Sequence, residues 1–437
     1  MADYSTSLRT QYLNPRTHLK NKQTEFRFDK NTMYTSSIRL LNVAVIRDTS
    51  VAGYNRRAGI LSLFKNVRLL DGSRELCSLR NGVDYLAFKN INTTNEKLHN
   101  MNDFLHKSFA ALELRNTGDV HAASDSINQV TMNIDNFDDT KSGYVNLSLI
   151  LPLLSSLPAL DTSVFKNLRL VIEYSDVAKF VSENKTGVYT ISEPVLAADE
   201  IIGQKKQAAM KAALKGAIVW NEIEHDLFQV PTGVQPAAAL GQSVQEVNKV
   251  ITGFDNKYVS RILLVKTFND KTLNYDTTGA RANIVKGDGN LVSLAMFKDE
   301  LNVRHKGSNM FNGDALANAG FRQMLLQETW GDVVIPPFGA LTMVGLDDPI
   351  NQARNVSGVN KTLATTFFQS SLVGQCDYIG FQVEDYVKQL QFNYKRTIVK
   401  DDDASLKNSV AMDVHIYGEV RKQLSFTSNG DYDISYV

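Results

Sequence analysis

Glu200 to Pro231 reads EIIGQKKQAAMKAALKGAIVWNEIEHDLFQVP, and its character changes in the middle. Gln204 to Lys215 is rich in Ala, Lys and Gln, with Met210 and Leu214 four apart; such side chains lose little freedom in a helix. Gly216 ends that helix. From Ala217 on, Ile218, Val219, Trp220, Phe228 and Val230 lead to Pro231, a composition suited to a strand entering a new core. The stretch reads as a joint, because both sides carry many short β-like runs and few long helical ones. A chain of 437 residues is too long for one ordinary core, and the joint implies two successive β-rich units.

The hydrophobic fraction of 43% and charged fraction of 22% describe a folded globular chain without a disordered low-complexity tract. The 47 basic and 47 acidic residues cancel, so there is no bulk electrostatic drive to coat nucleic acid, and no specific nucleic-acid binding is expected. Cys77 and Cys376 lie in different halves and read as free thiols of a reducing compartment rather than as a disulfide. No apolar run approaches the ~18 residues of a membrane span, and MADYSTSLRT lacks the apolar core of a signal peptide. The N-x-S/T matches at Asn92, Asn146, Asn184, Asn355 and Asn360 then read as accidental.

Residues 1–31 are polar and mildly basic and read as an arm, either a frayed terminus or a segment ordered only against a neighbouring subunit. Strands are expected over Met33–Ile46 and within Gly59–Gly72, the latter closed by an Asp-Gly turn. Residues 83–113 favour helix or long loop, and alternation returns at Ile127–Asp135. Tyr144 to Tyr174 reads strand, short helix between Pro152 and Pro158, strand, with Leu168, Leu170, Ile172 and Tyr174 on one face and Arg169 and Glu173 on the other. Phe64–Leu69 is echoed by Phe165–Leu170, an echo too short to establish a repeat. A last strand of this half covers about Val188 to Val195.

In the second half, strands are expected at Trp220, Val259–Phe268, Asn290–Val303, Gly339–Gly345, Thr362–Phe368 and Tyr378–Val383, with a helix within Asn309–Gly331. The cleanest alternation lies in Val387–Tyr394 and Val410–Ile416, read as two half-buried strands joined by the charged hairpin Lys400–Asp403. Three consecutive carboxylates there offer a hard cation oxygen ligands, but on a turn they are ordinarily solvated. The division expected is an arm at 1–31, a first unit at 32–199, a joint at 200–217 and a second unit at 218–437 ending in a tail.

The chemistry of catalysis is missing. His18, His99, His106, His121, His225, His305 and His415 are scattered, and His99 with His106 has no Cys or second pair to complete a metal site. GxSxG, GxxxxGKS/T, HExxH, CxxC and GxGxxG do not occur. Gly287-Asp288-Gly289 lacks the Lys and Thr of a phosphate loop and reads as a turn. The doublets Asp138-Asp139 and Asp347-Asp348 point to opposite faces if extended, unlike the facing carboxylates of glycoside hydrolysis. No catalytic, cofactor-binding or metal-binding residue is assigned, no cofactor is expected, and an enzyme is the minority reading.

Two β-rich halves with helical insertions, the Leu149–Tyr174 strand–helix–strand, the Trp220 strand opening the second half and the closing run HIYGEVRKQLSF resemble the double jelly-roll major capsid proteins, in the style of those of polinton-like viruses and virophages. The resemblance covers about residues 32–425 and is architectural. It implies an all-β fold with helical insertions, two consecutive jelly-roll β-sandwiches, and a structural role in the virion after synthesis in a host cytoplasm. It further implies homotrimeric, pseudo-hexameric capsomers tiling an icosahedral shell, with neighbouring capsomers, penton and minor or cement proteins as partners. Loops such as Lys97–Asp125 and Tyr275–Asn290 would form towers and inter-barrel contacts. The arm and joint helix would lie at the base, against an internal membrane or a neighbouring capsomer. The alternatives are a minor capsid or vertex protein of the same virus class, and a carbohydrate-binding β-sandwich protein. Against the last, Trp220 and Trp330 sit in apolar segments and read as core rather than as a sugar platform.

Overall fold

The computed structural model describes residues 7–43, 45–47, 50–51, 61, 63–91, 144–176, 189–237, 241–268, 300–310, 319–330, 378–399, 411–427 and 431–437. The strands of the first half are β1 (Leu8–Leu13), β2 (Thr17–Leu19), β3 (Gln23–Arg27), β4 (Met33–Leu41), β5 (Val45–Arg47), β6 (Ser50–Val51), β7 (Phe64–Asp71), β8 (Arg74–Leu79), β9 (Tyr144–Asn146), β10 (Leu160–Asp161), β11 (Leu168–Tyr174), β12 (Tyr189–Ile191) and β13 (Val195–Ile201). Helices α1 (Val83–Ile91) and α2 (Pro152–Ser156) interrupt them, and α3 (Gln204–Ala213) follows. One sheet runs β1-β13-β4-β10 with β9 also on β4; a second runs β2-β3-β11-β7-β8; a small third runs β12-β5-β6.

The second half contributes β14 (Ile218–Val230), β15 (Gln242–Ile251), β16 (Tyr258–Phe268), β17 (Glu300–His305), β18 (Ser308–Asn309), β19 (Tyr378–Tyr386), β20 (Leu390–Val399), β21 (Met412–Phe426) and β22 (Tyr432–Tyr436), with helix α4 (Ala319–Trp330). These form β14-β21-β16-β19, with β22 on β21, and β15-β20-β17-β18. Every described pairing is antiparallel, and none joins a strand before Ile201 to one after Ile218. Face-to-face antiparallel sheets bury one face each and give the alternation seen in the sequence.

Many local expectations hold. Leu168, Leu170, Ile172 and Tyr174 are buried, while Arg169 and Glu173 pair with Glu25 and Arg68 on the flanking strands. Helix α2 lies between Pro152 and Pro158, and Gly72 takes a φ of 60° in the β7–β8 turn, a left-handed conformation that glycine adopts without strain. The joint helix, the Trp220 strand and the buried tryptophans are in place. The echoed hexapeptides meet in one sheet: Phe64–Leu69 lies on β7, and the last three residues of Phe165–Leu170 open the adjacent antiparallel strand β11, with Leu69 opposite Leu170.

Four expectations are corrected. Residues 8–27 are not an arm: β1 pairs along its whole length with β13, and β3 pairs with β11 and buries Phe26 completely. Their polarity arises because β1 and β2 are edge strands, whose outer faces meet solvent. The end of the chain is not a tail, since β22 extends a sheet. The two well-alternating strands near the end are not hairpin partners. β20 pairs with β15 and β17, whereas β21 pairs with β14, β16 and β22, so the connection crosses from one sheet to the other. The run Val188–Val195 likewise divides between β12 and β13, in different sheets. Expected strands at 127–135, 339–345 and 362–368, the Lys400–Asp403 hairpin, and the loops 97–125 and 275–290 lie outside the described residues.

Two cores result. The second is built from residues such as Phe228, Ile262, Leu264, Phe392, Val414 and Ile416. The first unites Phe26, Ile38, Phe64 and Leu170 with Trp220, Leu263, Val265, Tyr417 and Leu424 from beyond the joint. Alternate residues of β16 therefore point into different cores. β16 and the middle of β21 are thus buried on both faces, one inside their own sandwich and one against the first half, whereas Val219 and Leu227 of the edge strand β14 stay exposed.

Candidate functional site

Where β14 and β21 run against the first half they carry buried polar groups on both faces, Glu222 on the face of Val420 and His225 on the opposite face with Tyr417. Glu222 on β14 is 1% exposed. Its carboxylate accepts from the Trp220 indole N–H at 3.1 Å, from the Ser78 backbone N–H at 3.2 Å and from Lys422 Nζ at 3.0 Å. Lys422 also reaches Glu224 at 3.2 Å, and Glu224 accepts from Lys257 at 2.5 Å and from the Tyr436 hydroxyl at 2.9 Å. Burial opposes the Lys422 ammonium, but Glu222 and Glu224 outweigh it and hold its pKa above the usual lysine value. Burial pushes the Glu222 carboxyl upward against the pull of Lys422. With the ammonium held charged from two sides, the ion pair is the form we assign. Charges enclosed this way stay buried only when paired and hydrogen-bonded.

Next to this cluster the turn after β8 meets the second half. Asn81 sits at φ 47°, a left-handed conformation asparagine tolerates, with its N–H bound to Asn66 Oδ1. Its carbonyl accepts from the Tyr417 hydroxyl at 2.6 Å, and its side-chain amide lies 3.1 Å from His225 Nδ1. His225 Nε2 is 2.9 Å from His415 Nδ1, and His415 Nε2 is 3.2 Å from Thr267 Oγ1 and 3.9 Å from Asp84 of α1. Burial, then the neighbouring His415, lower the His225 pKa from 6.5 to about 3.

The last strand closes the seam from the other side. Tyr432 donates its hydroxyl to Asp71 at 2.9 Å and packs edge-on against Phe165 at 5.0 Å between ring centres. Arg74 lies over the Tyr432 ring and pairs with Asp433 at 2.8 Å. Farther along, Trp330 of α4 packs edge-on against Tyr85 and Phe88 of α1, with the Arg261 guanidinium 3.9 Å above its ring and bound to Glu419.

Most of the acids and histidines considered from sequence do not converge. His18 is absorbed by Thr24 and the Ile191 carbonyl, and His305 lies beside Asp385. His99, His106, His121, Asp138, Asp139, Gly287, Asp288, Gly289, Asp347, Asp348, Cys376 and residues 401–403 lie outside the described residues. His225 and His415, read as scattered, are brought into contact, because β14 and β21 pair with Leu227 opposite His415 and His225 opposite Tyr417. The sequence hid this by placing His415 on the polar side of an alternating strand, which faces the other half rather than water. Cys77 is a buried free thiol with its pKa pushed up by burial and then by Glu222, the opposite of an activated nucleophile. Among the described residues, no group of three or more His, Cys, Asp or Glu is arranged to hold a metal ion, and no helix is long and apolar enough to cross a membrane.

The sequence matches no family model and no curated protein. Solved structures do match. The mavirus major capsid protein aligns over 100% of this chain and 91% of its own, at TM-score 0.52 and 10% identity. The Sputnik virophage structure aligns over 98% and 88%, at TM-score 0.54 and 10% identity. PBCV-1 VP54, fitted into a reconstruction of Sputnik, aligns over 99% and 97%, at TM-score 0.51 and 10% identity. The likeness spans both sandwiches and the joint, and at this identity it is a likeness of fold.

Proposed function

We propose that this chain, which has the fold of the double jelly-roll major capsid proteins, is the repeated structural unit of an icosahedral viral shell and performs no reaction. The carrying observation is the seam: strands β16 and β21, shared between two cores, make two sandwiches one block, which a shell tile needs and an enzyme built around a cleft does not. We place the first unit at 7–201, the linking helix at 204–213 and the second unit at 218–437.

In this reading three copies form a pseudo-hexameric capsomer, since two similar sandwiches per chain give six similar corners per trimer. Neighbouring capsomers, penton and minor proteins complete the shell. Two sheet edges suit self-contact. β1 ends one sheet with Tyr12 67% exposed, and β15 ends another with Val244 60% exposed. An edge strand with outward apolar side chains favours pairing or packing with another chain.

The test is light scattering on purified protein, followed by electron microscopy of the assembled state. A stable trimer with pseudo-sixfold outline is expected. A persistent monomer at high concentration, with no ordered assembly, would overturn the proposal. The carbohydrate-binding alternative finds no support in the tryptophans, because both are buried in the seam.

A further inference from the structure

The seam holds a device that the shell role does not require and that stands whether or not the chain assembles. Asn81, His225, His415 and Thr267 form one continuous hydrogen-bonded row crossing from the first half to the second. The Asn81 amide, as oriented, donates to His225 Nδ1, which leaves His225 with its proton on Nε2. That N–H donates to His415 Nδ1, so His415 also carries its proton on Nε2, directed at Thr267 Oγ1 and the Asp84 carboxylate. All four ring nitrogens are then used, and both rings are neutral.

We propose that this histidine pair is an acid-sensitive latch, which holds the two sandwiches together while it binds at most one proton and opens the seam when both rings are protonated. One proton is accommodated. It enters at His415, beside Asp84, and His415 Nδ1–H donates to His225 Nε2, while the His225 proton moves to Nδ1 and the Asn81 amide turns to accept it. A second proton sets two N–H groups against each other at a spacing of 2.9 Å, with two positive rings in contact.

Among the described residues, little around the pair neutralises that second charge. Helix α1 presents Asp84 to His415, and Tyr85 packs on Tyr417 rather than on the pair. β16 offers the hydroxyl of Thr267. β21 offers the Tyr417 ring, 5.0 Å from His225, and Asp413 two residues along the same face. The turn before α1 offers the uncharged Asn81. The fall of the His225 pKa from 6.5 to about 3 agrees with this geometry. The sign follows. His225 is neutral in the closed seam and free to charge in the open one, so stability is present above pH 6.5 and is lost as pH falls. Each pH unit below about 6 moves the closed-to-open equilibrium about tenfold toward open. Protonation of Glu222 acts the other way, since burial raises its pKa and the closed form takes that proton more readily.

The two tryptophans, Trp220 and Trp330, both lie in the seam, so their emission reports its opening. The experiment is an acid titration of the full chain followed by tryptophan emission and far-ultraviolet circular dichroism, comparing wild type with the double variant His225→Gln and His415→Gln. The paired amides of that variant hydrogen-bond without titrating. In wild type, emission should shift between about pH 6 and 3 while strand content is retained, and in the double variant the midpoint should fall by about one pH unit or more. Equal midpoints, or a wild-type emission change only together with loss of strand content, would overturn the latch. Should the double variant not fold, nitrogen-15 shifts of the wild-type imidazoles at pH 5.5 decide. A neutral, Nε2-protonated or Nδ1-protonated His225 supports the latch, and a charged one overturns it.

Discussion

Lys422 offers the sharpest perturbation of the seam. In Lys422→Met the stem is largely replaced and the ammonium is lost, so Glu222, 1% exposed, keeps its charge without its ion-pair partner. Removing one member of a buried pair costs about 3–5 kcal/mol. Glu222 retains the Trp220 indole and Ser78 backbone donors, and Glu224 retains Lys257, so the low end, about 3 kcal/mol at pH 7, is the expected loss. The pH dependence identifies the cause. With Lys422 gone, burial, aided by Glu224, outweighs the remaining Trp220 hydrogen bond on Glu222, and its folded-state pKa stands above the unfolded value of ~4.3. The folded variant then binds a proton that the unfolded chain releases first, so its deficit relative to wild type shrinks as pH falls toward 4 and grows as pH rises. Adding Glu222→Gln removes the orphan charge but keeps an oxygen for only one of the Ser78 and Trp220 donors, which bind different carboxylate oxygens, and should restore all but about 1–2 kcal/mol. Urea denaturation followed by tryptophan emission at several pH values completes the double-mutant cycle. A loss under about 1 kcal/mol at pH 7, unchanged with pH, would show that water reaches Glu222 and would refute the closed seam.

Two further substitutions separate what the last strand contributes from what the sheet requires. Tyr432→Ala removes the Asp71 hydrogen bond, the Phe165 contact and the Arg74 stacking together, and should lower stability by about 3 kcal/mol, whereas Asp433→Ala breaks only an exposed pair and should cost less than about 1 kcal/mol; thermal unfolding of the two variants side by side checks the difference. Gly418→Ala sets a Cβ 2.6 Å from the buried Phe254 ring, which must move within the second core, for an expected loss of about 1–3 kcal/mol by the same measurement.

The sequence revealed the parts of this fold that follow from alternation and turn chemistry: β11, β16, β20 and β21, the Asp71-Gly72 turn, the proline-bracketed α2, and the joint itself. It misled wherever one strand face met something other than its own core or water. β1 and β2 looked like a loose arm because an edge strand owes its place to backbone pairing, which leaves no apolar signature; only Phe26 on β3 announced burial. β20 and β21 looked like a hairpin because alternation records which residues are buried, not which strand lies alongside. The seam was the least legible feature for the same reason. His415 sits where an outward face is expected, and Lys422 interrupts the inward face of Val414, Ile416 and Val420, so the polarity of each suggested solvent or a strand end. The seam instead meets each with a partner drawn from a distant part of the chain, which follows from how such a block is made: the face joining two sandwiches cannot be wholly apolar without favouring sheet-on-sheet association of any two chains. Paired charges and matched imidazoles accept one register and penalise others. The polar residues that weakened the sequence signal are thus the ones that fix how the two halves meet, and His225 with His415 is the place where that fixing depends on pH.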